Sequence, residues 1–123
     1  MCKILLSINP EHVNNIFNGT KSYEYRKAST KRKVDGIFIY CTSPIKKIVG
    51  YADVEEVIEG KPSEVWKKTE KHSGITKQFF DLYYVNRDKA VAYKLKNVKQ
   101  YRRPKSLSKY GIKNAPQSFI YIN

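Results

Sequence analysis

The chain has 123 residues, 41% of them apolar, enough for one ordinary hydrophobic core and a single domain over residues 1–123. No apolar run approaches the roughly 20 residues of a membrane span. The start, MCKILLSINP, has too short an apolar stretch and no small-residue cleavage site for a signal peptide, so a cytoplasmic protein is expected. Twenty-four Lys and Arg against eleven Asp and Glu give a net charge of +13, which points to a polyanionic partner.

In chain order, residues 3–8 read as a short apolar strand. Asn9-Pro10-Glu11 then opens a helix, with an Asn cap, a proline at the first helical position and an acid in the first turn. Val13, Ile16 and Phe17 form its inner stripe, and Gly19 is placed as the C-cap. Residues 21–27 follow as a strand. Its two-residue period puts Tyr23 and Tyr25 on one face with Lys21 and Lys27, and Ser22, Glu24 and Arg26 on the other. Residues 28–33 are a basic loop, and GIFIYCT (36–42) is apolar enough for a central strand. Ser43-Pro44 breaks it. Residues 45–58 carry a long strand or strand pair whose parity slips near Glu55-Glu56, the mark of a bulge or bend.

A helix is expected over residues 63–71, with Val65 and Trp66 as its apolar residues, then a turn at His72-Ser73-Gly74. Thr76 caps a second helix through Phe79, Phe80, Leu82 and Tyr83. These aromatics suit packing over one end of a barrel better than reading base edges, which argues against a helix-turn-helix. Residues 90–101 form another strand, with Val91, Tyr93 and Leu95 inward and Lys94 and Lys96 outward. Asn97 breaks its alternation and Pro104 closes it. Residues 117–122 make the last strand. Five or six strands with inserted helices predict an α+β fold, a small mixed barrel with flanking helices.

The charge is uneven along the chain. From Lys89 onward there are nine basic residues and no acid, and residues 21–33 carry six more against Glu24 alone. Acids gather at Asp53, Glu55, Glu56, Glu59 and Glu64. This segregation predicts one positive face, and ten tyrosines offer stacking surfaces for nucleic acid. Cys2 and Cys41 form no CxxC, and His12 and His72 stand alone. Structural zinc and a disulfide framework are therefore not expected, and neither a metal nor a cofactor is called for.

No nucleophile motif, Gly-rich phosphate loop or HExxH is present. Glu55 and Glu56 face opposite ways on a strand and make a poor acid–base pair. One constellation remains, Lys21, Glu24 and Arg26. Glu24 and Arg26 lie about 7 Å apart along one strand face, and Lys21 could serve as a nucleophile or base if desolvation or a neighbour lowered its pKa. Residue chemistry alone favours the bland reading: a surface Glu24–Arg26 pair worth under about 1 kcal/mol and a solvated Lys21.

Gly19-x-Lys21-x-x-Glu24-x-Arg26 resembles the signature of the ASCH domain, a branch of the PUA-like superfamily. LLSINPEHVNNIFNG, IYCTSPIKKIVG, VWKKTEKHSGITKQFFDLYY, RDKAVAYKLKNV and APQSFIYI are similar to single-domain ASCH proteins in the same order, so the resemblance covers nearly the whole chain. It implies a small PUA-like β-barrel with helices beside it and a cleft near the signature strand that binds RNA or a nucleotide-like ligand. Lys21, Glu24 and Arg26 would line that cleft, with Lys27, Ser43, Gln117 and Ser118 as additions. Glu24 and Gln117 would meet base edges, Arg26 and Lys21 a phosphate or carbonyl oxygen, and Tyr25 or Tyr40 would stack.

Similar proteins also imply alternatives. One branch hydrolyses N4-acetylcytidine with the motif lysine, a threonine three residues on and a separate glutamate. Here Glu24 stands at the threonine's place and Ser73 or Gly74 at the glutamate's, so both positions depart from that pattern. Other members are implied to cut RNA or to act as protein-interaction modules. The reading taken forward is a monomeric RNA- or modified-nucleoside-binding domain without intrinsic turnover. A hydrolase centred on Lys21 and Glu24 is the alternative.

Overall fold

The alternating segments of the sequence become the strands of one mixed sheet in a computed structural model that describes residues 2–122. The strands are β1 (Lys3–Ile8), β2 (Tyr23–Arg26), β3 (Gly36–Cys41), β4 (Lys47–Gly60), β5 (Ala90–Lys105) and β6 (Phe119–Ile122). Their spatial order is β2-β5-β4-β3-β1-β6. Among the described residues only β1 and β3 run parallel; their crossover contains helix α1 (Pro10–Phe17) and β2. The sheet curls into a half-barrel. One contact makes the curl visible. Arg26 on β2 donates from Nη2 to the Ser7 carbonyl on β1 at 2.7 Å, although three strands separate β2 from β1 in the sheet.

The long strands β4 and β5 slip in register at three points, between Ile48 and Gly50, Tyr51 and Asp53, and Val54 and Glu56. The last lies at the Glu55–Glu56 parity break of the sequence. Each slip adds local bend and twist, which lets one long ladder turn with the barrel. Pro104 does not end β5, contrary to the sequence reading. Residues 101–104 fall within the first irregularity, where Gly50 pairs with Gln100 and Ile48 with Lys105, and a proline without an N–H is tolerated there.

Helices α2 (Pro62–Thr69) and α3 (Lys77–Tyr83) lie between β4 and β5, joined by a 3-10 turn over Glu70–His72. The Thr76 hydroxyl accepts from the Phe79 N–H at 3.0 Å and caps α3 as expected. Asn9 caps α1 without a side-chain hydrogen bond, so Pro10 at the first turn carries that start. Ile4, Leu6, Val13, Ile16, Ile37 and Ile39 build the core between α1 and the sheet. Tyr23, Tyr25, Val65, Phe80 and Tyr84 build a second cluster beneath α2 and α3. A third, around Leu5, Tyr40 and Ile48, lies under the Leu107–Tyr110 turn.

The strands also bring together charges that are apart in sequence. Lys94 pairs with Glu55 at 2.9 Å, Lys89 with Glu59 at 2.8 Å, and the Asn97 amide donates to Asp53 at 3.0 Å. Glu55 and Glu59 of β4 thus pair with two of the lysines at and near the start of β5. Among the described residues, no ion pair involves the basic loop at 27–33 or the basic residues from Lys96 onward. No helix among the described residues is long and apolar enough to cross a membrane.

Candidate functional site

Strand β2 is four residues long, so Lys21 and Ser22 lie before it and not within it. The Lys21 N–H bonds the Asn15 carbonyl at 3.0 Å, and the Ser22 N–H bonds that of His72 at 2.8 Å. These bonds tie the entry of β2 to α1 and to the turn before α3. They also release Lys21 from strand parity, so its side chain reaches the same hollow as Glu24.

Both charges are buried, Lys21 at 3% and Glu24 at 5% exposure. Glu24 takes two bonds from Arg26 on the single oxygen Oε2, from Nε at 3.1 Å and Nη2 at 2.7 Å. Lys21 donates from Nζ to the Ser73 carbonyl at 3.1 Å and sits 4.8 Å from the Tyr25 ring centroid, a cation–π contact. The solvated-surface reading of this trio is therefore overturned. The curled sheet and the 72–75 turn enclose it.

The trio borders a cleft of about 310 Å³, whose lining also includes Ser7, His12, Thr42, Phe79, Tyr83 and Gln117. That volume is at the small end of the roughly 300–1,000 Å³ range of small-molecule sites. Burial holds the Lys21 ammonium below its usual pKa, opposed by Glu24 and aided by Arg26. Burial, with the charge of Lys21, also lowers the pKa of His12, which keeps the imidazole neutral near pH 7. Tyr25 is pushed up to about 12 by desolvation, against the bond from its hydroxyl to Thr69 Oγ1 at 2.7 Å. It is a scaffold residue at neutral pH.

Of the residues singled out in the sequence, Lys21, Glu24, Tyr25, Arg26 and Gln117 line the cleft. The Ser7 hydroxyl donates to the Pro116 carbonyl at 2.7 Å and the Ser7 N–H to that of Ser118 at 3.0 Å, which docks the APQSF segment beside β1. Because of that docking, β6 starts at Phe119 and not at Gln117. Ser118, Ser43 and Lys27 are not lining residues. Ser43 is exposed in the β3–β4 turn, and Lys27 lies outside, its ammonium 4.8 Å from the ring centre of the cleft residue Tyr83. Tyr40 belongs to the third core cluster, away from the cleft.

Among the lining residues that escaped sequence reasoning are His12, Phe79 and Tyr83. His12 looks like a lone surface histidine on a helix, and its place shows only once α1 packs against α3 through a 5.2 Å edge contact between His12 and Phe79. Phe79 and Tyr83 read as packing residues, yet Phe79 is 43% exposed at the cleft edge. The i,i+4 spacing of Phe79 and Tyr83 beside buried Phe80 and Tyr84 was the available signal. Two adjacent stripes on a seven-residue helix cannot both face the core. Among the described residues no group of three or more His, Cys, Asp or Glu side chains could hold a metal ion.

The model of the ASCH domain family matches residues 6–108. The chain is similar to the large ribosomal subunit protein uL22 of Ureaplasma parvum, at 38% identity over 120 residues, 97% of this chain. It spans about two fifths of that relative, the match covering 39% of its length. The ATP synthase subunit alpha of the same organism is 30% identical over 120 residues, which is 15% of its length. An ASCH domain-containing ribonuclease of Zymomonas mobilis is 27% identical over 94 residues, 76% of this chain and 64% of that protein. The crystal structure of the Zymomonas mobilis ASCH protein superposes with a TM-score of 0.88 at 25% identity, covering 98% of this chain and 87% of that one.

Proposed function

The chain belongs to the ASCH domain family, and on that premise we propose that it binds RNA, or a nucleotide-like ligand, in the cleft bordered by Lys21, Glu24 and Arg26. The observation that carries this reading is the burial of two charged side chains around one open cleft. Desolvating an ammonium and a carboxylate costs several kcal/mol each unless partners make it good. Lys21 has one hydrogen bond, to Ser73, for its three donors. A core filled by apolar side chains would be cheaper, so the arrangement suits a ligand that completes it.

The chemistry fits a splayed nucleotide. Lys21 donates to a carbonyl or phosphate oxygen. Glu24 keeps Oε1 outside its pair with Arg26 and can accept from an exocyclic amine. Gln117 can bond a base edge from the mouth, and Phe79 and Tyr83 give the apolar wall on which a ring stacks. Lys27, over Tyr83, and the loop at 27–33 supply positive charge where a sugar–phosphate backbone would leave the cleft. The names of the Ureaplasma relatives belong to two different assemblies, so neither assembly is transferred to this chain.

The test is a titration of labelled single- and double-stranded RNA and DNA between low and moderate salt. Backbone contacts predict a log–log slope near −0.7 per phosphate neutralised on single strands. Flat salt dependence, or no binding at micromolar protein, overturns the reading.

A second reading, a hydrolase, is favoured by the lowered pKa of Lys21 and by the ribonuclease-named relative. A neutral Lys21 amine can take the proton of an attacking hydroxyl or water. Deacylation of N4-acylcytidine has less support. At the place of its glutamate stands Ser73 or Gly74; Ser73 is buried, with its hydroxyl bonded to the Ile75 carbonyl at 3.0 Å, and Gly74 has no side chain. Incubation with RNA and with N4-acylcytidines beside Lys21→Ala decides this reading. Turnover lost in the variant supports an enzyme, and equal background in both rejects it.

A further inference from the structure

We propose that the cleft continues past His12 and Phe79 into a second compartment, which takes the neighbouring base of the same RNA strand and prefers a base with an exocyclic amine. The inference rests on the RNA reading above and names the substrate class within it. The ligand is a strand of at least two nucleotides and not a free nucleoside.

The second hollow measures about 480 Å³ and shares His12, Ile75 and Phe79 with the first. These three side chains form a ridge with a compartment on either side. Phe79 is 43% exposed, while Phe80, its neighbour on α3, is fully buried. An aromatic ring held on a ridge by the edge of His12, at 5.2 Å, is a fixed platform on which successive bases can stack. His12 Nδ1 is buried with no hydrogen-bond partner. Burial and Lys21 keep the imidazole neutral, so the ridge adds no second cation.

The two compartments differ in charge. The first holds Lys21 and Arg26 beside Glu24. The second carries Glu11 and Glu70 and, among its lining residues, no Lys or Arg. Two exposed carboxylates repel a phosphate and accept hydrogen bonds from amines. The backbone therefore stays on the side of Lys21 and Lys27 while a base turns into the second hollow. Cytosine, adenine and guanine offer an amine there. Uracil offers carbonyl oxygens and a single ring N–H.

The experiment measures binding of 2′-fluoro mono- and dinucleotides of cytidine, adenosine and uridine, which resist transesterification. Cytidine and adenosine dinucleotides should bind about 5- to 150-fold more tightly than their mononucleotides, the range one extra stacked base supports. The uridine pair should show a smaller gain. Glu11→Gln/Glu70→Gln alters exposed side chains that line only the second hollow. It should leave mononucleotide affinity unchanged and remove the preference over uridine. Equal affinity for mono- and dinucleotides overturns the second compartment and leaves the first cleft standing. A preference that persists in the double variant overturns the role of the acids. No binding by any probe rejects the cleft as a nucleotide site and this inference with it.

Discussion

Arg26 places Nε and Nη2 on one oxygen of Glu24, at 3.1 and 2.7 Å, and uses Nη2 again to reach the Ser7 carbonyl at 2.7 Å. One guanidinium thus holds the carboxylate still, joins β2 to β1 across the mouth of the half-barrel, and leaves Glu24 Oε1 free of that pair. The pair lies in the wall of the cleft and is part of its construction.

Removing half of this arrangement should be worse than removing both halves. Arg26→Met leaves the Glu24 side chain, 7% exposed, without its cation and the Ser7 carbonyl without that donor. A loss of about 3 kcal/mol is expected. Glu24→Gln/Arg26→Met, which removes the carboxylate and the guanidinium together and leaves Lys21 as the charge of the trio, should recover more than half of it. Urea midpoints of the three proteins check this. A double variant no more stable than Arg26→Met would mean that the bridge to Ser7, and not the buried charge, carries the energy.

Lys21 gives a pH signature with a definite sign. Its pKa is lower in the folded chain than the ordinary 10.5, so the unfolded chain binds more protons between the two values and stability rises with pH across that window. Below the folded value the cost of burying the ammonium is present in full. Lys21→Met lacks that cost. Relative to the variant, the native chain should gain stability as pH is raised toward 10.5, as read by the difference in Tm. The same variant should lose ligand affinity at every pH. A Tm difference that does not change with pH would mean Lys21 stays solvated.

The strands were legible because their periods and breaks are local. Residues 3–8 hold as a strand and 36–42 as one that ends a residue early, at Cys41, the Glu55–Glu56 bend lies at a register slip, and Asn97, which interrupts the alternation of β5, adopts φ +51°. Thr76 was legible as a cap for the same reason. Burial of the signature residues was not. Period two puts Lys21 opposite Glu24, and only the bonds of residues 21 and 22 to Asn15 and His72 bring both to one hollow. The Ser22–His72 bond joins segments far apart in sequence, as does the Tyr25–Thr69 hydrogen bond that gives a buried threonine its purpose. The family resemblance supplied the cleft that periodicity could not.

Lys27 lies outside the cleft lining and should act on phosphate alone. Lys27→Ala should weaken single-stranded RNA binding similarly for all sequences and reduce the log–log salt slope by about 0.7. Its contact with Tyr83 is at the surface, so stability should change by less than about 0.5 kcal/mol. Salt titrations of the native and variant proteins read both the slope and the affinity. An unchanged slope places the backbone elsewhere on the molecule.

Gly74 and Gly19 separate backbone strain from crowding at the cleft. Both adopt positive φ, +68° and +87°, a region that costs an L-residue roughly 1–2 kcal/mol. A Cβ at Gly19 would meet nothing within 4 Å. One at Gly74 would lie 2.4 Å from Lys21 Cβ and 2.9 Å from its Cα. Gly19→Ala should therefore cost about 1 kcal/mol and leave ligand affinity intact. Gly74→Ala must also push Lys21 or the turn at 72–75 aside, and the Lys21–Ser73 bond closes that same turn. It should cost at least about 3 kcal/mol, the backbone strain plus the overpacking, and reduce affinity more than tenfold. Urea denaturation beside RNA titration reads both effects. Equal losses of stability in the two variants would show that the turn yields without moving Lys21. Gly74→Ala with normal affinity would remove Lys21 from the binding site.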